Sequence, residues 1–186
     1  MVSAECALSA AQVRAVVRLT LMQTFLPYED FARSASVLDV SRLHNQINEA
    51  LVVMATALRL RRISNLEYEP VGPNEKLGWQ SHPAVKMWHG AGNCLGFYTL
   101  CMMRELRARN HPEQRVREAD PVRWCRLMEL WSDRSEEGIR TPTWLGNADF
   151  HRSHQSNLIR KYPGHYAQFF PGVPDSLPYI WHPGFH

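Results

Sequence analysis

Val40-Ser-Arg-Leu-His-Asn-Gln-Ile-Asn-Glu-Ala-Leu-Val-Val-Met-Ala-Thr-Ala-Leu58 carries the clearest periodicity in the chain. Leu43, Ile47, Leu51, Met54 and Leu58 recur at spacings of four, four, three and four, which marks one buried helical stripe. The spacing predicts a long helix from Ser34 onward. At about 100° per residue, Glu49 falls roughly 160° from the centre of that stripe. Arg42, Asn45 and Gln46 flank it on the same outward face, so a carboxylate is presented beside a cation and two amides. A solvated helix face is the ordinary explanation of such a pattern.

Working outward, residues 64–80 are rich in Gly, Pro, Asn and Glu and read as a loop. His82-Pro83 opens a second helix, with Ser81 or His82 as cap and proline in its tolerated first turn. Val85, Trp88, Ala91, Leu95, Tyr98, Met102 and Leu106 give that helix an apolar face, and Asn110 and Pro112 end it. Gly90, Gly92 and Gly96 are poor helix formers, expected to admit a close neighbour. Asp120-Pro121 starts a third helix with Trp124, Leu127, Met128 and Trp131, closed by Gly138. Pro142 to Gly146 turns into a fourth, Phe150 to Lys161, and the proline-rich stretch from Pro171 wraps as an extended tail. No segment alternates like a sheet. The expected fold is all-α: one compact domain of about four helices.

A chain of 186 residues suits one domain with a real core, and 45% apolar against 21% charged residues is ordinary for a globular protein. No run reaches the roughly 18 apolar residues of a membrane helix. The four cysteines form no C-x-x-C pair, and a reducing cytoplasm is the expected compartment. Net charge is +3, with only three lysines (Lys76, Lys86, Lys161) among the 21 basic residues. Arginine favours bidentate contacts to phosphate and base edges, although coding bias produces the same skew. The lysine shortage also limits the amine nucleophiles. Residues 1–21 carry Arg14 and Arg18 inside their apolar run, which argues against a signal peptide. They read as a helical arm or, preferably, as the product of an upstream start codon taken for the initiator.

His151 and His154, at i and i+3, could share a metal with His82 or His165, but no Cys/His quartet or H-E-x-x-H accompanies them. The acid-free tract from Phe150 to Pro174, with Ser153, His154, Ser156, Asn157, Arg160, Lys161, Tyr162 and Tyr166, suits phosphate contacts and ring support for displaced bases.

Five motifs occur in order: Phe25-Leu-Pro-Tyr-x-Asp-Phe31, Ser34-Ala-x-Val-Leu-Asp39, Arg42-Leu-x-x-Gln-x-x-Glu49, Gly78-Trp-x-x-His-Pro-Ala-Val-x-Met-Trp88 and Ser153-His-x-Ser-Asn-Leu-x-Arg-Lys-x-Pro-x-His-Tyr166. In these the chain resembles the pyrimidine-dimer DNA glycosylases over about residues 22–181. That leaves residues 1–21 as an extension and 182–186 as a tail. The resemblance implies a cofactor-free and metal-free helical enzyme acting on duplex DNA that carries ultraviolet photodimers or abasic sites, and a monomer is the default for this size and mechanism. An amine attacks the sugar, the damaged base leaves, and a Schiff base permits β-elimination, which nicks the strand. Carried over, Glu49 is the catalytic carboxylate and His82 positions the DNA or the glutamate. Arg42, Asn45, Gln46, Lys86, Ser153, His154, Arg160, Lys161 and Tyr166 contact DNA.

In this family the amine resembles a chain-terminal α-amine, which a chain beginning at Met22 would supply. With residues 1–21 attached, Lys86 or Lys161 is the fallback. A second departure is His44-Asn-Gln-Ile-Asn-Glu49, where relatives carry Lys and Arg. Each lost phosphate contact should lower the salt slope of binding by about one unit. Two other readings stay open: a DNA-binding relative without the chemistry, and a histidine-metal hydrolase.

Overall fold

The computed structural model describes residues 23–64, 67–109, 119–132 and 141–181, with residues 119 and 120 described by their backbone alone. Expectations for Met22, for residues 1–21, for the closing role of Gly138 and for residues 182–186 lie outside the described residues. The fold is mostly α, as the sequence predicts, with seven helices among the described residues.

The long helix expected from Ser34 is two helices. α1 spans Phe31–Val37 and α2 spans Val40–Ala57. The break follows from local chemistry: Leu38 is extended, and the Asp39 side chain accepts from the Arg42 N–H, starting a new helix as its N-cap. The carbonyls left open at the end of α1 are answered by Arg109, whose guanidinium donates to Leu38, Ala35 and Ser36.

After α2, Arg59 takes a left-handed φ of 54° and the chain enters a short hairpin that the sequence reading did not anticipate. Its strands, β1 (Leu60–Arg62) and β2 (Tyr68–Pro70), pair antiparallel with Leu60 opposite Pro70. Each strand has three residues, too few for alternation to be visible.

The second predicted helix is also split. α3 (Pro83–Met87) is capped by His82, whose Nδ1 accepts from the Ala84 N–H at 3.1 Å, and α4 runs Gly92–Ala108. The connecting turn uses Gly90 at φ +74°, a left-handed conformation that a glycine adopts without a Cβ penalty. α5 (Ala119–Ser132), α6 (Ala148–Lys161, capped by Asn147) and the single turn α7 (Pro163–Tyr166) complete the set.

The core forms where α2 packs on α4, with α1 and α5 against them, around Leu43, Ile47, Leu51, Met54, Leu95, Tyr98 and Met102. An aromatic wedge of Trp88, Trp144 and Phe150 joins α3 to α6, the two indoles meeting edge to face at 4.9 Å. Gly92 and Gly96 do admit a neighbour, because Cβ atoms built there would fall inside the Trp131 ring and on the Met128 sulfur of α5. Gly96→Ala is therefore expected to lower unfolding free energy by about 1–3 kcal/mol, as overpacking does. Gly78→Ala, where a Cβ meets nothing within 4 Å, should change stability little in the same denaturant titration.

Candidate functional site

Residues 23–27, Gln-Thr-Phe-Leu-Pro, run through the interior without helix or strand, yet all are buried. Buried backbone polar groups need partners, and with no ladder available side chains must supply them. The Phe25 N–H donates to Gln46 Oε1 at 2.6 Å, and the Phe25 carbonyl lies 3.1 Å from the Tyr98 hydroxyl. That hydroxyl also reaches Gln46 Oε1 at 2.7 Å. The Leu26 N–H donates to His154 Nδ1 at 3.0 Å, and its carbonyl accepts from His151 Nδ1 at 2.8 Å. Gln155 donates to the Pro27 carbonyl at 2.7 Å. The Trp88 indole donates to Thr24 Oγ1, and Asn157 donates to Gln23 Oε1.

At the head of this segment the Gln23 N–H donates to Glu49 Oε2 at 3.0 Å, and Gln46 Nε2 donates to the same oxygen at 3.3 Å. Burial of the carboxyl group is the largest influence on Glu49 and pushes its pKa up to about 8, against the pull of Gln23, Gln46 and the Lys161 charge. Its charge in turn reaches the buried phenols of Tyr98 and Tyr179, which burial already holds well above the usual tyrosine range. Glu49 is thus a carboxylic acid poised near neutrality, in reach of both acid and base roles.

One rim of the site is basic. Arg42, two turns before Glu49 on α2, is half-buried, ion-paired to Asp39, and lies 5.2 Å over the Tyr166 ring. Tyr166 donates its hydroxyl to Asp39 Oδ2 at 2.6 Å. Burial raises the Asp39 pKa, but the Tyr166 hydroxyl and Arg42 outweigh it and hold the carboxyl below its ordinary value. Arg160 is exposed and donates to Asn157 and to the Leu177 carbonyl, while Lys161 Nζ sits 5.8 Å from the Phe25 ring centroid.

The sequence-predicted residues divide into two groups. Asn45, Lys86, Arg160 and Lys161 are exposed, and Arg42 and Glu49 are half-buried. Gln46, His82, Ser153, His154 and Tyr166 are buried. Gln46 does not share an outward face with Asn45, because its amide is consumed by Phe25, Tyr98 and Glu49. His82 caps α3 with its ring edge-on to Trp79 and Trp181, 5.3 and 5.4 Å away. Much of the tract read as phosphate-contacting points inward instead. Ser153 and Ser156 accept from the backbone N–H groups of Ile180 and Leu177 in the tail, and the Tyr166 ring is in the core.

His151 and His154 each engage both ring nitrogens with backbone groups: His151 with Leu26 and Gly146, His154 with Leu26 and Ile180. Those bonds leave neither ring a lone pair for a metal. Among the described residues no cluster of three His, Cys, Asp or Glu side chains could hold one.

Sequence reading missed Gln23, Tyr98 and Tyr179, and it took Asn157, which bonds Gln23, for a phosphate contact. Tyr98 looked like core because it lies on an apolar helix face, and Tyr179 belongs to the tail. No helix among the described residues is long and apolar enough to cross a membrane. A cavity of about 400 Å³ lies at the far end of α2 between Ala57, Pro70, Val71 and Trp131.

The buried titratable groups set a pH signature. Unfolded, Glu49 loses its proton near 4.5, whereas folded it holds it to about 8, so stability falls as pH rises through that window. His154 acts oppositely: burial holds its pKa near 3 against 6.5, so stability falls as pH drops below 6.5. Between pH 6.5 and 8 the Glu49 loss outweighs the small remaining His154 gain, and the chain should lose roughly 1 kcal/mol. Glu49→Gln should flatten that decline in denaturant titrations at the two pH values.

A family model described as pyrimidine dimer DNA glycosylase matches residues 22–118. No curated protein and no solved structure matches the chain.

Proposed function

The chain belongs to the pyrimidine dimer DNA glycosylase family, and from that premise we propose that it excises ultraviolet photodimers from duplex DNA and nicks the strand through a Schiff-base intermediate. One observation carries the reading: the main-chain nitrogen of Gln23 is bonded to the carboxylate of Glu49 at 3.0 Å. Met22 is the residue before it. A chain beginning at Met22 therefore brings an α-amine to the acid.

The chemistry follows from those two groups. An α-amine with a reference pKa near 8 is roughly a tenth neutral at pH 7 and can attack C1′ of the sugar. The C1′–base bond breaks and the damaged base leaves. Protonated Glu49 donates to the sugar ring oxygen, the ring opens, and the nitrogen lone pair forms the imine. The carboxylate so produced removes the C2′ proton, the C2′=C3′ bond forms, and the 3′ phosphate departs. Arg42, Asn45, Arg160 and Lys161 rim the site on its accessible side, which suits them to the phosphates of the lesion strand. The buried candidates Gln46, His154 and Tyr166 hold the geometry from behind.

A second reading keeps DNA binding and drops the chemistry. It is favoured by the absence of lysine and arginine from His44 to Asn48 and by the residues that precede Met22.

Incubation of irradiated duplex with the chain begun at Met22 tests the reading. Nicking and covalent trapping by borohydride are expected, and retained binding without either would support the second reading. Glu49→Gln should reduce nicking by at least a hundredfold while leaving binding within a few-fold; unchanged nicking removes Glu49 from the mechanism. Arg160→Ala should weaken binding to damaged and undamaged duplex alike and lower the salt slope by about one unit. A loss confined to damaged DNA would instead make Arg160 a lesion reader.

A further inference from the structure

The polar face of α6 lies along residues 23–27 in reverse register. His151 and His154 hold Leu26, and one turn later Asn157 reaches Gln23. Lys161 is four residues beyond Asn157, on the same face and about 6 Å further along the axis. That step carries its ammonium past Gln23, over the Phe25 ring at 5.8 Å and into the field of Glu49. The basic groups around it are tied down: Arg42 to Asp39, and Arg160 to Asn157 and the Leu177 carbonyl. Lys161 has no hydrogen bond or ion pair to any described residue and is exposed on its outer side. The other two lysines stand elsewhere, Lys76 in the loop after β2 and Lys86 on α3.

We propose that Lys161 is a second imine-forming amine of this site, the one that serves abasic DNA when residues 1–21 precede Met22. The proposal rests on the glycosylase reading given above. With those residues attached, the Met22 nitrogen is an amide and cannot attack, whereas Lys161 Nζ keeps its lone pair whenever it is neutral. Burial of its stem, then the Arg42 and Arg160 charges, lower its pKa from the ordinary lysine value, with Glu49 opposing, and so enrich that neutral form. Neutral Nζ adds to the C1′ aldehyde of the ring-opened abasic sugar and forms a carbinolamine. Glu49 donates its proton to the carbinolamine hydroxyl, one water leaves, and the protonated imine and the Glu49 carboxylate remain. Glu49 takes the C2′ proton, the electron pair of that bond forms C2′=C3′, and the 3′ phosphate leaves with the C3′–O pair. Water then hydrolyses the imine and returns Nζ.

The test is borohydride trapping of the full 186-residue chain on a duplex with one abasic site, with the adduct located by peptide mass spectrometry. The expected result is a reduced sugar on Lys161, and at least a tenfold loss of trapping in Lys161→Arg, which keeps the charge but not the nucleophile. Mapping is done on the unmutated chain, so it does not depend on the variant folding. An adduct on any other residue overturns the proposal. Trapping by the chain begun at Met22 but not by the full chain overturns it too, and leaves the glycosylase reading standing. Trapping by neither overturns both.

Discussion

An extended segment in the interior of a helical protein dictates most of what surrounds it. Residues 23–27 form no backbone ladder, yet they are buried, and an unanswered buried N–H or C=O costs on the order of 1–3 kcal/mol. Gln46, Tyr98, His151, His154 and Gln155 meet those groups from three different helices. Helices α2, α4 and α6 are therefore stapled to one another through a piece of chain that belongs to none of them. The same staples fix the head of the segment against Glu49. Structure and site share one cause.

This explains why the sequence was readable in some places and misleading in others. The stripe from Leu43 to Leu58 packs against apolar neighbours, so its period was visible and the all-α class followed. On α6 the usual pattern inverts. Ser153, His154, Ser156 and Asn157 are polar yet interior, because what they face is irregular backbone. Hydrophobic periodicity has no means of marking such a face, and an acid-free, histidine-rich tract then resembles a phosphate surface. Gln46 was misplaced for the same reason, its angular position being sound but its partner a main chain rather than solvent. Two helix breaks had local signals, Asp39 as a cap and Gly90 as a left-handed turn, but both were obscured by apolar spacing that continued across them. The hairpin was too short to have a period.

Electrostatics complete the site from the same materials. Glu49 is raised toward 8 because its carboxyl is buried against two N–H donors that offset burial only in part. Asp39, one helix end away, stays ionised because Arg42 and Tyr166 answer it directly. Two carboxyl groups on one helix thus diverge in protonation, because burial dominates at Glu49 and direct partners dominate at Asp39. The cations at the rim are held by protein partners or, at Lys161, poised beside the acid. The proposed amine chemistry would take place at the corner where Gln23 meets Glu49.

That corner can be interrogated without substrate. The side-chain carboxyl of Glu49 can be titrated by carbon NMR in the full chain and in the chain begun at Met22. A cationic α-amine within a few ångströms favours the carboxylate, so the shorter chain should titrate at least one unit below the full chain, whose pKa lies near 8. Equal pKa values in the two chains would mean that the terminal amine does not reach Glu49, and would contradict the placement on which the account depends.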